Sequence, residues 1–325
     1  MRTLSGIQPT GSIHIGGYLG AIKQWVELQN KGECIVFIAD LHALTTPQDP
    51  KTFSQKTLET AVELLSSGID PEKCIIFVQS QVKEHTELAW ILNTITPIGE
   101  LERMIQYKEK SKQFKDSVNV GLLDYPVLQA ADILLYQVDS VPVGKDQSQH
   151  LELTKTIAKK FNQKYGETLK VPEALVLDMG GKIMALNDPK KKMSKSFPET
   201  CLFLFDEPEV IEKKVMTAVT DTGKTIEYDT AKKPGISNLL TIYSLFSGKT
   251  MKELEKEFKG VGYSKFKRRL AAMLTEKLEP FRRKKKELMQ REVYVKEILE
   301  RGRKRAEIIA QSTMAEVRQK VGLLS

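Results

Sequence analysis

The chain has 325 residues, 41% of them hydrophobic and 28% charged, with a net charge of +8. This is the composition of an ordinary soluble protein with room for two domains and a sizeable core. No apolar run approaches the ~20 residues of a membrane span, and Met1–Ser5 lacks the apolar region of a secretory signal. Cys34, Cys74 and Cys201 are odd in number and far apart, which excludes a disulfide framework and a C-x-x-C metal site. A cytoplasmic, metal-free protein is expected, with Cys34 and Cys74 as buried thiols.

The opening stretch, Gly6-Ile7-Gln8-Pro9-Thr10-Gly11-Ser12-Ile13-His14-Ile15-Gly16-Gly17-Tyr18, reads as strand, glycine turn and helix start. Leu4 and Ile7 form an apolar lead-in that Pro9 and Gly11 break. Tyr18, Leu19, Ile22, Trp25 and Val26 then recur with helical spacing. Such a turn brings backbone N–H groups and a positive helix end to a phosphate. Its spacing fits neither the dinucleotide fingerprint nor the P-loop, and an ordinary turn opening an α/β domain reads the same way.

Strands and helices then alternate. Residues 34–40 and 74–78 read as buried strands, and 53–65 and 84–92 as helices. Near-continuous apolar strands between helices predict a parallel sheet covered on both faces, with ligands beyond the carboxyl ends of its strands. The glycine turn and His42 fall at that edge, although a lone histidine is commonly a hydrogen-bonded structural one. Residues 125–136 predict an apolar helix on which Tyr125, Gln129 and Asp132 stand at i, i+4 and i+7, one polar stripe. A carboxylate there needs a donor, since burying it unpaired is costly; a cap or structural ion pair would serve too. Ser140–Val143 reads as a strand before Gly144-Lys145-Asp146-Gln147. Asp146 is placed to cap the following apolar helix, on which His150 reads as structural.

Far downstream comes Lys190-Lys191-Lys192-Met193-Ser194-Lys195-Ser196, a charge cluster of the kind that usually marks a solvated loop. Beyond it the alternation stops. Helices are predicted over 208–219 and after Pro234-Gly235-Ile236, with Ser237 as a plausible N-cap. From Met251 to Ser325 there are 21 Lys and Arg against 11 Asp and Glu, a surplus of +10, so the preceding residues total −2. The runs 265–269, 282–286 and 301–305 carry much of it. That asymmetry fits a phosphate-binding surface, with solvated helix faces as the plainer account.

Two segments carry a resemblance. The early P-x-x-x-x-H-I-G-x and the late K-M-S-K-S resemble the paired signatures of class I aminoacyl-tRNA synthetases, the second matching at every position from Lys192 to Ser196. Residues 130–136 with 141–150 resemble the tryptophanyl branch, and the similarity runs from Gly6 to about Gly262. The resemblance implies a Rossmann-like parallel-sheet catalytic domain over 1–200 and a C-terminal α-helical domain over 201–325. The latter would read the tRNA anticodon and send its last helix back onto the catalytic domain. It also implies a homodimer that ligates L-tryptophan to tRNA(Trp), using ATP with Mg2+ carried by the nucleotide.

Residue by residue, the resemblance assigns Asp132 to the indole N–H and Tyr125 and Gln147 to the substrate ammonium. His42, Gln129, Val141 and Val143 complete the amino-acid pocket. Gln8 matches a residue near the substrate carboxylate and α-phosphate, and Lys192, Lys195 and Lys110 match the groups that reach the phosphates. Pro9, Thr10, Gly16, Gly17, Gly144, Lys145, Asp146, Ile183, Met193, Ser194 and Ser196 complete the nucleotide site. Two positions depart from the pattern. Gly17 stands where the tryptophanyl branch usually carries Asn, and Gln129 where bacterial members often carry Met, a glutamine also being found in tyrosyl enzymes. A tyrosyl-specific enzyme, a small-molecule nucleotidylyltransferase and a silent tRNA-binding paralogue are the alternatives.

Overall fold

The structure is a computed structural model that describes residues 1–113, 118–144, 148–176, 182–195 and 197–324, apart from the side chains of residues 110, 112, 113 and 176. Five parallel strands form one sheet in the order β3-β2-β1-β4-β5: β1 (Arg2–Ile7), β2 (Glu33–Ile38), β3 (Cys74–Val78), β4 (Ser140–Val143) and β5 (Glu173–Val176). All five residues of β3, and five of the six of β2, are buried, as expected of strands covered on both faces. The helices between them are α1 (Ile15–Gly17), α2 (Lys23–Leu28), α3 (Asp40–Ala43), α4 (Pro50–Ser66), α5 (Glu84–Asn93), α6 (Ile98–Glu102), α7 (Ile105–Gln113), α8 (Val120–Leu134) and α9 (Ser148–Tyr165). A π-helical stretch, Tyr18–Ile22, joins α1 to α2.

The strand order reverses between β1 and β4. That pair is joined at a single register position, Thr3 with Ser140, whereas β1 and β2 are paired over six positions. Beyond Thr3 and Ser140 the two strands are unpaired, which opens a crevice at the carboxyl ends, where a switch point of this kind takes ligands.

The remaining α-helices among the described residues are α10 (Pro208–Thr217), α11 (Pro234–Ser247), α12 (Met251–Glu257), α13 (Tyr263–Met289) and α14 (Glu292–Val321). Val295, Ile298 and Leu299 of α14 join the core on one sheet face, while Ala306, Ala310, Met314 and Val317 join the core on the other. The helix therefore crosses the β3 edge and covers its unpaired backbone groups. At the crossing a Cβ on Gly302 would lie 1.8 Å from the Ile76 carbonyl oxygen, so only glycine allows the approach.

One expectation is corrected. Ser237 is not the N-cap of α11; Pro234 takes the first position with its φ preset, Lys233 is the cap, and the Ser237 hydroxyl accepts the Asp229 N–H at 2.9 Å. In the basic runs Lys265, Arg268, Arg269, Arg283, Lys284, Lys286, Arg301, Lys304 and Arg305 are exposed, while three other cations are taken up in packing. Lys267 donates to the Met216 and Ala218 carbonyls, satisfying the acceptors left at the end of α10. Arg282, 3% exposed, donates to the carbonyls of Asp206 and Thr275, and Lys285 pairs with Glu63 at 2.7 Å. These cations dock helices.

Candidate active site

A cavity of about 720 Å3 occupies the crevice between β1 and β4. At one end stands Asp132 of α8, 1% exposed. Its Oδ1 accepts from Gln79 Nε2 at 2.7 Å and lies 2.6 Å from His85 Nδ1, and its Oδ2 lies 2.7 Å from His42 Nε2. Each donor comes from the carboxyl side of the sheet: His42 from α3 after β2, Gln79 from the turn after β3, and His85 from the first turn of α5. Burial pushes the Asp132 carboxyl up, but the His42 charge and the bonds from His42 and His85 outweigh it, holding the carboxyl down at about 2. An isolated buried carboxylate would cost several kcal/mol, and three donors offset that cost. Asp132 is an ionised acceptor, fixed in place.

Tyr125 stands one stripe further along α8. Its hydroxyl oxygen lies 3.0 Å from Gln106 Oε1 and 2.8 Å from His150 Nε2, and burial pushes the phenol up to about 12. His150, read from sequence as structural, thus braces an expected substrate contact. Gln129, Val141 and Val143 line the same end of the cavity.

At the other end lies the glycine turn. His14 caps α1, its Nδ1 accepting the Gly17 N–H at 3.1 Å, so the ring proton is on Nε2. Burial, then the charges of Lys195 and Lys192, lower the His14 imidazole to about 4, so it is neutral at pH 7. A Cβ on Gly16 would lie 3.1 Å from that ring and 3.4 Å from Ile183 Cβ, whereas one on Gly17 would meet nothing closer than 3.5 Å. Glu63 of α4 holds the turn from behind: its carboxylate accepts from Ser12 Oγ at 2.5 Å, from Ile13 N at 2.8 Å and from Lys285 of α13.

The late lysine-rich segment closes this end. A short hairpin pairs Met193 N with Ile183 O and Ala185 N with Lys191 O, and Asn238 of α11 brackets Met184 at both backbone groups. Lys195 Nζ reaches across 184 residues to the Gly11 carbonyl at 2.8 Å. Its burial lowers the ammonium, with Glu63 opposing.

Of the expected site residues, Gln8, Gly16, Gly17, His42, Tyr125, Gln129, Asp132, Val141, Val143, Gly144, Ile183, Lys192, Met193, Ser194 and Lys195 line this one cavity. Pro9 is buried and Thr10 exposed, and neither is on its wall. Lys145, Asp146, Gln147 and Ser196 lie outside the described residues, as does the side chain of Lys110, whose backbone belongs to α7. Sequence reasoning missed His14 as a cavity residue, and Gln79, His85, Tyr136, Glu63 and Asn238 as supports. One signal was present: Tyr136 is four residues after Asp132 and continues the stripe of 125, 129 and 132. Among the described residues there is no cluster of three or more His, Cys, Asp or Glu able to hold a metal, and no helix long and apolar enough to cross a membrane.

Known proteins resemble this chain along almost its whole length. The chain is 50% identical to the tryptophan–tRNA ligase of Caldanaerobacter subterraneus subsp. tengcongensis, over 99% of this chain and 98% of that one. The crystal structure of tryptophanyl-tRNA synthetase from Mycoplasma pneumoniae superposes with a TM-score of 0.89 at 35% identity, covering 100% of this chain and 98% of that one. The enzyme from Campylobacter jejuni, crystallised with ADP and tryptophan, superposes with a TM-score of 0.87 at 40% identity, covering 99% and 100%. The family model for tRNA synthetases class I (W and Y) matches residues 1–279. With that match over most of its length, the chain belongs to the class I tRNA synthetases of the tryptophanyl and tyrosyl group.

Proposed function

We propose that this synthetase ligates L-tryptophan to tRNA(Trp), activating it with ATP and then passing it to the 3′ end of the tRNA. The observation that carries the reading is the ionised Asp132, held at one end of a cavity whose other end bears Lys192, Lys195 and His14. A large apolar ring with one N–H donor suits such an acceptor. The relatives at about this identity are named for tryptophan, which favours it over tyrosine.

The chemistry asks little of acids and bases. The substrate carboxylate, already a nucleophile at neutral pH, attacks the α-phosphate; a P–O bond forms to it, the bond to the β-phosphate side breaks, and pyrophosphate leaves with its electron pair. Rate comes from positioning and from positive groups beside the developing charge. Lys192 and Lys195 stabilise the pyrophosphate, with Lys110 assisting, and the neutral His14 offers an Nε2–H. Gln8 attends the substrate carboxylate. Gly16, Gly17 and Ile183 flank the adenosine, Pro9, Thr10, Met193, Ser194 and Ser196 complete the nucleotide site, and Gly144, Lys145 and Asp146 contact the ribose. Tyr125 and Gln147 take the substrate ammonium, and His42, Gln129, Val141 and Val143 surround the ring. Mg2+ arrives with the nucleotide.

We also propose residues 1–200 as the activating domain and 201–325 as the tRNA-binding region. The cations there that docking does not consume, such as Arg283 and Lys284, face the phosphates. Helices α5 to α8 pack on one another and expose Trp90 (72%), Ile98 and Val120 (79%), apolar area that a homodimer would cover. Cytoplasmic residence follows from the reaction. The test is exchange of labelled pyrophosphate into ATP with tryptophan and with tyrosine separately, alongside Asp132→Asn. Exchange with tryptophan alone, weakened in the variant, is expected. Exchange with tyrosine overturns the substrate, and none with either overturns the enzyme reading.

A further inference from the structure

Behind Asp132, and off the cavity wall, lie Gln79, His85 and Tyr136. His85 is fully buried, boxed by Phe37, Phe77 and Tyr136 with ring centroids 5.4–5.9 Å away. Its Nδ1 lies 2.6 Å from Asp132 Oδ1 and its Nε2 lies 2.8 Å from the Tyr136 hydroxyl, itself fully buried. One arrangement gives each of four contacts a donor and an acceptor. Tyr136 O–H donates to His85 Nε2, and His85 Nδ1–H and Gln79 Nε2–H donate to Oδ1. His42 Nε2–H donates to Oδ2.

A carboxylate offers about four acceptor sites, two on each oxygen. Oδ1 is then filled by donors from behind, and Oδ2 has one site taken by His42, which shares the cavity wall with Asp132. The terminal torsion of an aspartate is soft, so nothing in its own chain fixes which oxygen faces the cavity. The bonds to Oδ1 do so.

We propose that His85, locked by Tyr136, is a positioning residue for tryptophan selection. With Gln79 it fills Oδ1 of Asp132, so that the carboxylate presents a single open acceptor, on Oδ2, to a substrate with one ring N–H. This rests on the reading that Asp132 accepts the indole N–H. His85 touches no substrate; it acts through the direction and ionisation of Asp132. A merely structural histidine in the same place would affect every substrate equally.

The test compares kcat/KM in pyrophosphate exchange for tryptophan and for β-(benzothiophen-3-yl)alanine, which replaces the N–H by sulfur and keeps the ring shape. A site built on a hydrogen bond rejects the analogue lacking it by ~10^4-fold. The wild type is expected to approach that discrimination. If it does not discriminate, the reading of Asp132 falls and the inference with it. In His85→Leu, kcat/KM for tryptophan is expected to fall about 10- to 100-fold, the range seen when supporting partners of a liganding group are removed. The benzothiophene value and the KM for ATP should barely move, so discrimination narrows by the same factor. His85→Asn, whose amide N–H can replace Nδ1–H, should restore most of it, and Tyr136→Phe should narrow it by a few-fold. Equal losses for both amino acids in His85→Leu, with wild-type discrimination intact, overturn the inference and leave the reading of Asp132 standing. Should His85→Leu not fold, an unchanged ratio in Tyr136→Phe overturns it equally.

Discussion

The two ends of the cavity are built on opposite plans. At the amino-acid end His42, Gln79 and His85 are nearly or fully buried and bonded to Asp132 at 2.6–2.7 Å, and the carboxylate is held in place before substrate arrives. At the nucleotide end the groups are half-buried or exposed, drawn from loops, and joined by a few contacts such as Lys195 to Gly11. Specificity needs an acceptor whose direction is fixed beforehand. Transfer of an adenylyl group needs cations beside the charge that develops on pyrophosphate, and loops that admit the nucleotide and release pyrophosphate bring them there. The rigid end rests on the sheet. The adaptable end rests on turns that Glu63 ties to the helical region.

Breaking the rigid end should cost most. Asp132→Asn is expected to lower kcat/KM for tryptophan by ~10^3-fold or more in pyrophosphate exchange. It should also destabilise the fold by about 3 kcal/mol in urea unfolding, because the charge that three buried donors satisfy is removed. The nucleotide end should show the reverse signature: Lys195→Met lowers kcat by ~10^2-fold, the scale of one lost oxyanion donor, with the melting temperature and the KM for tryptophan unchanged.

The link between the ends is probed by Lys285→Met, which leaves the buried Glu63 carboxylate with Ser12 and Ile13 alone. A loss of about 1–3 kcal/mol and a raised KM for ATP are expected. Adding Glu63→Gln should recover part of the stability, as a double-mutant cycle would measure. A smaller effect concerns His14. Its imidazole should titrate near pH 4 by NMR and move up in Lys195→Met, since one neighbouring cation is gone. Its folded value lies below the ordinary 6.5, so the unfolded chain binds the proton first. Its stabilising contribution is full above pH 6.5 and is lost as the pH falls towards 4. Least of all, Gly17→Asn should change stability by under about 0.5 kcal/mol, because its Cβ meets only ordinary contacts. The KM for ATP is the sensitive readout, and a large rise would show that the turn needs the missing side chain.

Much of the fold was legible because its signals are local. The apolar run Cys74–Val78 is fully buried in a strand, and Pro50–Ser66 is one helix where residues 53–65 read as one. The spacing of Tyr125, Gln129 and Asp132 placed all three on one cavity wall. Local signals failed where a distant partner decided. Ser237 reads as a cap until Pro234 and Asp229 are seen around it. Lys267, Arg282 and Lys285 read as free charge until the helix ends and the carboxylate they meet are known. His85 gave no signal at all, since its chemistry lies in Asp132, 47 residues away.

The sequence by itself determined the parallel α/β start, the helical end, the two loop motifs and the identity of the chemical groups, because periodicity, turn residues and motif spacing are written along the chain. Only the tertiary structure decided what each of the chain's four histidines holds in place. His14 caps the nucleotide turn, His42 and His85 hold Asp132, and His150 braces Tyr125. A side chain's proton state and direction are set by burial and by neighbours that the sheet order β3-β2-β1-β4-β5 brings together. No local pattern contains that order.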